Sequence, residues 1–205
     1  MAIVQCVPNF SEGRDLDKIE KIINPLIGKE GVKLLNYEAD KNYNRLVVTI
    51  IGEPQKVKDA VFEAIGVAKD IIDMNKHKGQ HPRFGATDVC PFIPIKDMDM
   101  DDAIKLANEL GAIKAIFLTH EHTDHIKGLR VFTSKYKIPV FLYECAATRG
   151  ERENLATVRK GEFEGLDKKL EDTNWTPDYG VNKKHKTAGA IAIGARRPLI
   201  AYNIN

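Results

Sequence analysis

The chain has 205 residues, 43% of them hydrophobic, and its 31 lysine and arginine residues nearly balance 29 aspartate and glutamate residues. This composition excludes a disordered chain and allows one substantial core. A net charge of +2 gives no electrostatic reason to expect nucleic acid or an anionic membrane as a partner. A small-molecule substrate is therefore favoured.

The cysteine pattern and the first residues indicate the compartment. Cys6, Cys90 and Cys145 are odd in number, far apart and without a CxxC pair, which suits a reducing environment better than a disulfide framework. The opening MAIVQCVPNF lacks a basic segment followed by a long apolar one, and no stretch approaches the roughly 20 apolar residues of a membrane span. We therefore expect a soluble, cytoplasmic protein.

The first quarter of the chain predicts a strand, a helix and two further strands. AIVQCVPNF is strand-like, and Ser11 or Asp15 provides a cap for the helix that follows. The apolar positions of that helix are Leu16, Ile19, Ile22 and Ile23. VKLLNYEAD and RLVVTIIG are predicted strands, and the second is rich in β-branched residues.

The strongest helix prediction is EPQKVKDAVFEAIGVAKDIID, which has Pro54 near its first turn. One face of it carries Val57, Val61, Ile65, Ala68 and Ile72. DVCPFIPI is extended, and residues 97–110 form a helix that ends at Gly111.

The second half predicts alternating elements as well. In order they are the strand AIFLT, the helix IKGLRVFTSKY, the strand IPVFLYE, short helices between Gly-rich turns, and the strand-like end PLIAYNIN. Interleaved strands and helices predict an α/β fold or an α+β sandwich, in which helices cover a mixed sheet.

Two histidines mark the first chemical motif, HKGQHPRFGATDVCPF. His77 and His81 are four residues apart in a segment broken by glycine and proline, and Lys76, Lys78, Arg83 and Asp88 flank them. Imidazole transfers protons near neutral pH, and nearby cations stabilise an oxyanion or a carboxylate. A catalytic loop and a basic surface turn are both compatible with this spacing. Gly79 argues against the helical geometry that two metal ligands would need.

Five separated motifs resemble the N-terminal subdomain of the formiminotransferase family. They are CVPNFSEGRD, NYNRLVVTIIGEP, DMNKHKGQHPRFGATDVCPFIPI, IPVFLYECAATR and TAGAIAIGARRPLIAYNIN, and together they cover residues 1–110 and 137–205. The resemblance implies a ferredoxin-like mixed sheet with helices packed on it. It also implies folate-dependent transfer of a formimino group from N-formiminoglutamate to tetrahydrofolate, in histidine degradation, by a homodimer.

The resemblance also implies site residues. His81 matches the family's catalytic histidine, which acts as general base and acid. Glu38 orients it and Arg45 binds a substrate carboxylate, although an ordinary charge in the sheet is an equally good reading of Arg45. The remaining substrate-binding residues form the folate-contacting loop: Gly180, Val181, Asn182, Lys183, Lys184, His185, Lys186, Thr187, Ala188 and Gly189. In the family a second subdomain closes over the folate, and without it this chain would be incomplete.

The second motif, THEHTDHI, belongs to a different resemblance. Residues 113–141 are similar to metallo-β-lactamase-fold hydrolases, whose HxHxDH signature would place metal ligands at His120, His122, Asp124 and His125. A working dinuclear zinc site needs further ligands, and downstream only His185 remains. We interpret 113–141 as an extra strand-loop-helix segment, inserted or substituted in a subdomain that spans 1–205.

Two alternatives to the transferase remain open from the sequence. One is a zinc-dependent hydrolase centred on the HxHxDH segment. The other is a folded, non-catalytic chimera or fragment.

Overall fold

The computed structural model of the chain describes residues 1–111, 138–143 and 155–197. The strands are β1 Ile3–Cys6, β2 Asn9–Phe10, β3 Val32–Asp40, β4 Arg45–Gly52, β5 Thr87–Lys96, β6 Val140–Tyr143 and β7 Ile191–Ala195. The helices are α1 Leu16–Ile23, α2 Pro54–Ile71, α3 Met100–Gly111, α4 Leu155–Arg159 and α5 Leu166–Glu171, with 3-10 turns at Asn24–Leu26 and Thr173–Trp175.

The strands form one seven-stranded mixed sheet, which confirms the predicted α/β class. Its order is β3, β4, then β1 together with β2, then β5, β7 and β6. The first predicted strand is broken into β1 and β2, and both parts lie antiparallel between β4 and β5. β5, β7 and β6 run parallel. The sheet is therefore antiparallel at one end and parallel at the other.

Two cores lie on opposite faces of this sheet. The larger core joins α1, α2 and α3 to inward-facing strand residues such as Ile50 and Cys90. The smaller core joins α4 and α5 to Val89, Phe141 and Ala192. Because neighbouring residues of a strand point to opposite faces, Val89 and Cys90 enter different cores. The parallel end of the sheet is thus covered on both faces.

Most predicted elements of the first half are confirmed. β3 and β4 begin and end where predicted, and the five apolar positions predicted for α2 are buried, the last of them, Ile72, as its C-cap residue. In α1 the cap is Asp15, whose Oδ1 accepts a hydrogen bond from the Lys18 backbone N at 3.2 Å. The assignment of Leu16 to the apolar face is wrong. Leu16 is the first residue of α1 and is 66% exposed, because the helix meets the core only from Ile19 onward.

β7 is the strand that the sequence did not reveal. All five of its residues, Ile191–Ala195, are buried between β5 and β6. A strand covered on both faces has no polar alternation, and its small alanine and glycine residues resemble a turn. The predicted strands AIFLT and PLIAYNIN, the helix IKGLRVFTSKY and most of 113–141 lie outside the described residues. None of the described helices is long and apolar enough to cross a membrane.

Candidate active site

His77 and His81 lie in the connection between α2 and β5, which is not helical. This connection passes very close to the turn between β3 and β4. A Cβ atom on Gly79 would lie only 2.2 Å from the backbone O of Tyr43. Glycine is therefore required two residues before His81, and the close approach fixes where the connection begins to turn.

His77 anchors the first part of the connection. Its Nε2 lies 2.9 Å from the backbone O of Asn44, and because a carbonyl only accepts, Nε2 carries the proton. The Asn44 side chain in turn donates to the backbone O of Lys78 at 3.1 Å. Burial is the main cause that lowers the pKa of His77. His77 is thus a neutral, buried hydrogen-bond donor that ties the connection to the sheet.

The SEGRD segment supports the same anchor from the other side. The carboxylate Oε1 of Glu12, which is only 7% exposed, accepts hydrogen bonds from the backbone N of Gly13, Arg14 and Asp15 at 3.1, 3.0 and 3.1 Å. The backbone N of Gly13 also donates to Asn44 Oδ1 at 2.9 Å. Glu12 therefore shapes the turn on which Asn44 rests.

The residues that follow His81 are held by three further contacts. The hydroxyl of Ser11 donates to the backbone O of Gly85 at 2.8 Å. The backbone N of Phe84 donates to Asp88 Oδ1 at 2.8 Å. The Arg159 guanidinium donates from Nη2 to the backbone O of Pro82. The backbone on the carboxyl side of His81 is thereby fixed at residues 82, 84 and 85.

Asp88 and Arg159 also form an ion pair, with Oδ2 and Nη2 2.7 Å apart. The Asp88 side chain is 5% exposed and that of Arg159 is 17% exposed. Burial raises the pKa of Asp88 to about 6, and the charge of Arg159 offsets part of the rise. Beside this pair, Arg83 binds Glu162 at 3.0 Å and also binds Glu164. The segment after α4 therefore packs along residues 82–84 through charged groups.

The His81 ring itself lies half-buried against Tyr43, in an edge contact with ring centroids 6.0 Å apart. The Arg45 guanidinium lies over the same tyrosine ring, 5.5 Å from its centroid. Burial lowers the pKa of His81 most, and the positive charges of Arg45 and Arg159 lower it further. The ring is therefore neutral at neutral pH and can accept a proton.

Glu38 and Arg45 both line a pocket of about 380 Å³ between β3 and β4. Arg45 joins this pocket to the Tyr43 and His81 rings. Glu38 is exposed, and its Oε1 accepts a hydrogen bond from the Asn36 side chain at 3.2 Å. Asn36, rather than His81, is thus the hydrogen-bond partner that the structure gives Glu38. The pocket is polar, and its other lining residues are Ala39, Asp40, Lys41 and Val47.

The predicted folate loop, residues 180–189, lies directly beside the histidine connection. Thr187 O accepts from Met74 N at 2.7 Å, and Ala188 O accepts from Ala86 N at 3.0 Å. Lys186 O accepts from the Asn75 side chain at 2.7 Å. The structure therefore brings together two segments that are about a hundred residues apart in the chain, mainly through their backbones.

The side chains of this loop differ in what they contact. His185 Nδ1 accepts from the backbone N of Ala188 at 3.0 Å, so its ring closes the turn. Lys184 is paired with Asp167 at 2.7 Å, and its ammonium lies over the Phe163 ring. Lys183 and Lys186 are exposed. Of the lysines predicted to attract carboxylates, Lys184 already has an anionic partner within the chain.

Sequence reasoning did not single out Glu12, Asn44 or Arg159. Glu12 sits in the SEGRD motif, where Ser11 and Asp15 were considered only as helix caps. Arg159 is 77 residues from Pro82, whose backbone it binds. No local pattern identifies such a partner.

The predicted metal ligands His120, His122, Asp124 and His125 lie outside the described residues. Among residues 1–111, 138–143 and 155–197, no three histidine, cysteine, aspartate or glutamate side chains converge as a metal site would require.

Comparison with known proteins finds one family to which this chain is similar. The pattern of the formiminotransferase domain, N-terminal subdomain, matches residues 3–119 and 127–196. The glutamate formimidoyltransferase of Streptococcus pyogenes serotype M1 is 44% identical over 203 residues, which are 99% of this chain and 62% of that protein. That of Thermoplasma acidophilum is 42% identical over 207 residues, covering 100% of this chain and 62% of its own length. The formimidoyltransferase-cyclodeaminase of Dictyostelium discoideum is 39% identical, covering 99% of this chain and 34% of its own.

The fold is that of an α/β domain, and the half-buried His81 is its candidate acid–base residue. The chain belongs to the formiminotransferase N-terminal subdomain family. It spans 62% of the length of its two glutamate formimidoyltransferase relatives. The family match passes over residues 120–126, which contain the HxHxDH residues, and the resemblance to metal-dependent hydrolases has no support from these comparisons.

Proposed function

We propose that this chain takes part in transfer of a formimino group from N-formiminoglutamate to tetrahydrofolate, with His81 as general base and acid. The observation that carries the proposal is the His81 ring, which is half-buried in a connection held by the SEGRD turn, by α4 and by the 180–189 loop. Membership of the formiminotransferase family supports the reaction class.

In the proposed step the folate amine attacks the formimino carbon and forms a carbon–nitrogen bond. His81 accepts the proton that the amine loses, since burial and the charges of Arg45 and Arg159 lower the pKa of the ring and keep it neutral. His81 then returns a proton to the glutamate nitrogen as the original carbon–nitrogen bond breaks. Glutamate and the formimino-folate leave, and His81 is neutral again.

Arg45 is the proposed carboxylate partner for formiminoglutamate, because its guanidinium lies both in the β3–β4 pocket and beside Tyr43. Loop 180–189 is proposed to contact the folate, and the exposed Lys183 and Lys186 are the cations proposed to attract its carboxylates. Glu38 is proposed to contact the substrate in the β3–β4 pocket, which it lines, rather than to orient the His81 ring. The proposed setting is a cytoplasmic homodimer.

Transfer is tested with the 205-residue chain and with a hybrid, in which the chain replaces the corresponding part of the Streptococcus pyogenes relative. We expect formimino-folate to form with the hybrid, and His81→Gln to reduce kcat by about 100-fold or more. Lys58→Gln, on α2, is the control and keeps the parent rate. A folded hybrid without transfer, or a His81→Gln variant as active as the parent, would contradict the proposal.

A further inference from the structure

Arg159 makes two contacts with one guanidinium nitrogen. Its Nη2 lies 2.7 Å from Asp88 Oδ2 and also donates to the backbone O of Pro82. Pro82 is bonded directly to His81, so the position of its carbonyl is coupled to the backbone of the histidine. The second oxygen of Asp88 accepts from Phe84 N at 2.8 Å. The ion pair therefore contacts the backbone on both sides of residue 83, at Pro82 O and at Phe84 N.

An ion pair that served stability alone would not need this arrangement. Lys58 and Glu109, for example, are 3.2 Å apart and join α2 to α3, and the Lys58 side chain is only 14% exposed. The other hydrogen-bond partner of that pair is the Gln55 side chain on α2, and not the backbone beside His81. Arg159 and Asp88 instead bind two backbone groups within three residues of His81.

We propose that Arg159, seated on Asp88, is a positioning residue for His81, which holds the backbone of Pro82 so that the imidazole meets the substrate at the right place. The proposal rests on the proposed function of His81. Arginine suits this role because its guanidinium stays charged and its Nη2 contacts the Asp88 carboxylate and the Pro82 carbonyl at once. Its cation also favours the neutral imidazole that accepts a proton.

The other charged groups around the ring act with Arg159 or against it. Arg45, from β4, favours the neutral ring as Arg159 does, and Glu162, from the segment after α4, favours the charged ring. Arg83 is bound to Glu162 and Glu164. Loss of Arg159 removes one of the two positive charges that lower the pKa of His81, while the negative charge of Glu162 remains, so the pKa of His81 rises.

The test uses three variants, each made in the full chain for NMR and in the hybrid for kinetics. Arg159→Met with Asp88→Asn removes both charges, so that no buried charge is left alone, and the asparagine oxygen still accepts from Phe84 N. Arg159→Lys keeps the charge but loses the planar fork. Lys58→Gln is the control, since Lys58 is about as buried as Arg159 and its ion pair lies between α2 and α3, away from His81. The His81 ring is titrated by NMR, with His81→Gln giving the assignment, and kcat and KM are measured against pH.

For the double variant we expect the His81 titration, and the acid limb of the pH profile, to move up by about 0.5 to 1 pH unit. We expect kcat to fall by about 10- to 100-fold while KM changes less than about 3-fold. Arg159→Lys should keep the parent titration and lose part of kcat. Lys58→Gln should change neither.

A double variant that is folded and has the parent kcat overturns the proposal, as does a lower melting temperature with unchanged titration and kcat. If the folded hybrid that carries the unsubstituted chain transfers no formimino group, the proposed function is wrong, and this result is known before any Arg159 variant is compared. The two failures are therefore distinct.

Discussion

Replacing Gly79 by alanine should disturb the active site far more than its size suggests. The new Cβ would lie 2.2 Å from Tyr43 O, 2.8 Å from Tyr43 C and 2.9 Å from Asn44 Cβ. Ordinary contacts of this kind are longer by about 1 Å, so the connection must move by a similar distance. Such overpacking costs about 1–3 kcal/mol of unfolding free energy. A displacement of about 1 Å beside His81 should lower kcat by about 100-fold.

Gly28→Ala is the matched control for this change. Gly28 has φ +70° and nothing within 4 Å of an added Cβ, so its alanine variant bears backbone strain without a clash. The expected loss is about 1–2 kcal/mol, close to that of Gly79→Ala. Urea unfolding gives both stabilities, and formimino transfer and the His81 NMR titration report the site. The reasoning is refuted if Gly79→Ala loses no more activity than Gly28→Ala at equal stability.

Two further changes test the buried carboxylates. Glu12→Ala leaves the backbone N–H groups of Arg14 and Asp15 without their acceptor, while Gly13 N keeps its bond to Asn44 Oδ1, so we expect a loss of about 1–3 kcal/mol in urea unfolding. An unchanged midpoint would show that water replaces the carboxylate at no cost. The pKa of Asp88 is raised from 3.8 to about 6, so the folded chain binds more protons than the unfolded chain between these values. Its contribution to stability is therefore largest below pH 4 and declines by about 3 kcal/mol as pH rises to 6. The parent should lose stability relative to Asp88→Asn over that window, and parallel pH curves for the two proteins would contradict the assignment.

The sequence was informative where one face of an element meets water. β4 was predicted closely because it is rich in β-branched residues, and α2 because its apolar residues recur at the period of a helix. β7 was missed because both of its faces are buried, which removes the period. These five residues carry no alternation of polar and apolar side chains from which a strand could be recognised.

The candidate site divides in the same way. His81 and the 180–189 loop could be named from local motifs, and the structure places the two segments side by side. Whether they bind substrate remains a prediction. The Asp88–Arg159 pair joins positions 71 residues apart, and pairing at that distance depends on the packing of α4 against the sheet. Spacing rules describe neighbours along the chain and carry no information about such partners.

The His81 connection takes its supports from the SEGRD turn, from α4 and from loop 180–189, which are separated by most of the sequence. During synthesis, the imidazole emerges from the ribosome long before Arg159 and Thr187 exist to hold its backbone. Long-range contacts of this kind form late in folding because they require closure of large loops. A partly made chain would thus carry His81 without the contacts that fix its backbone, and these contacts would be complete only when the last of the three segments docks.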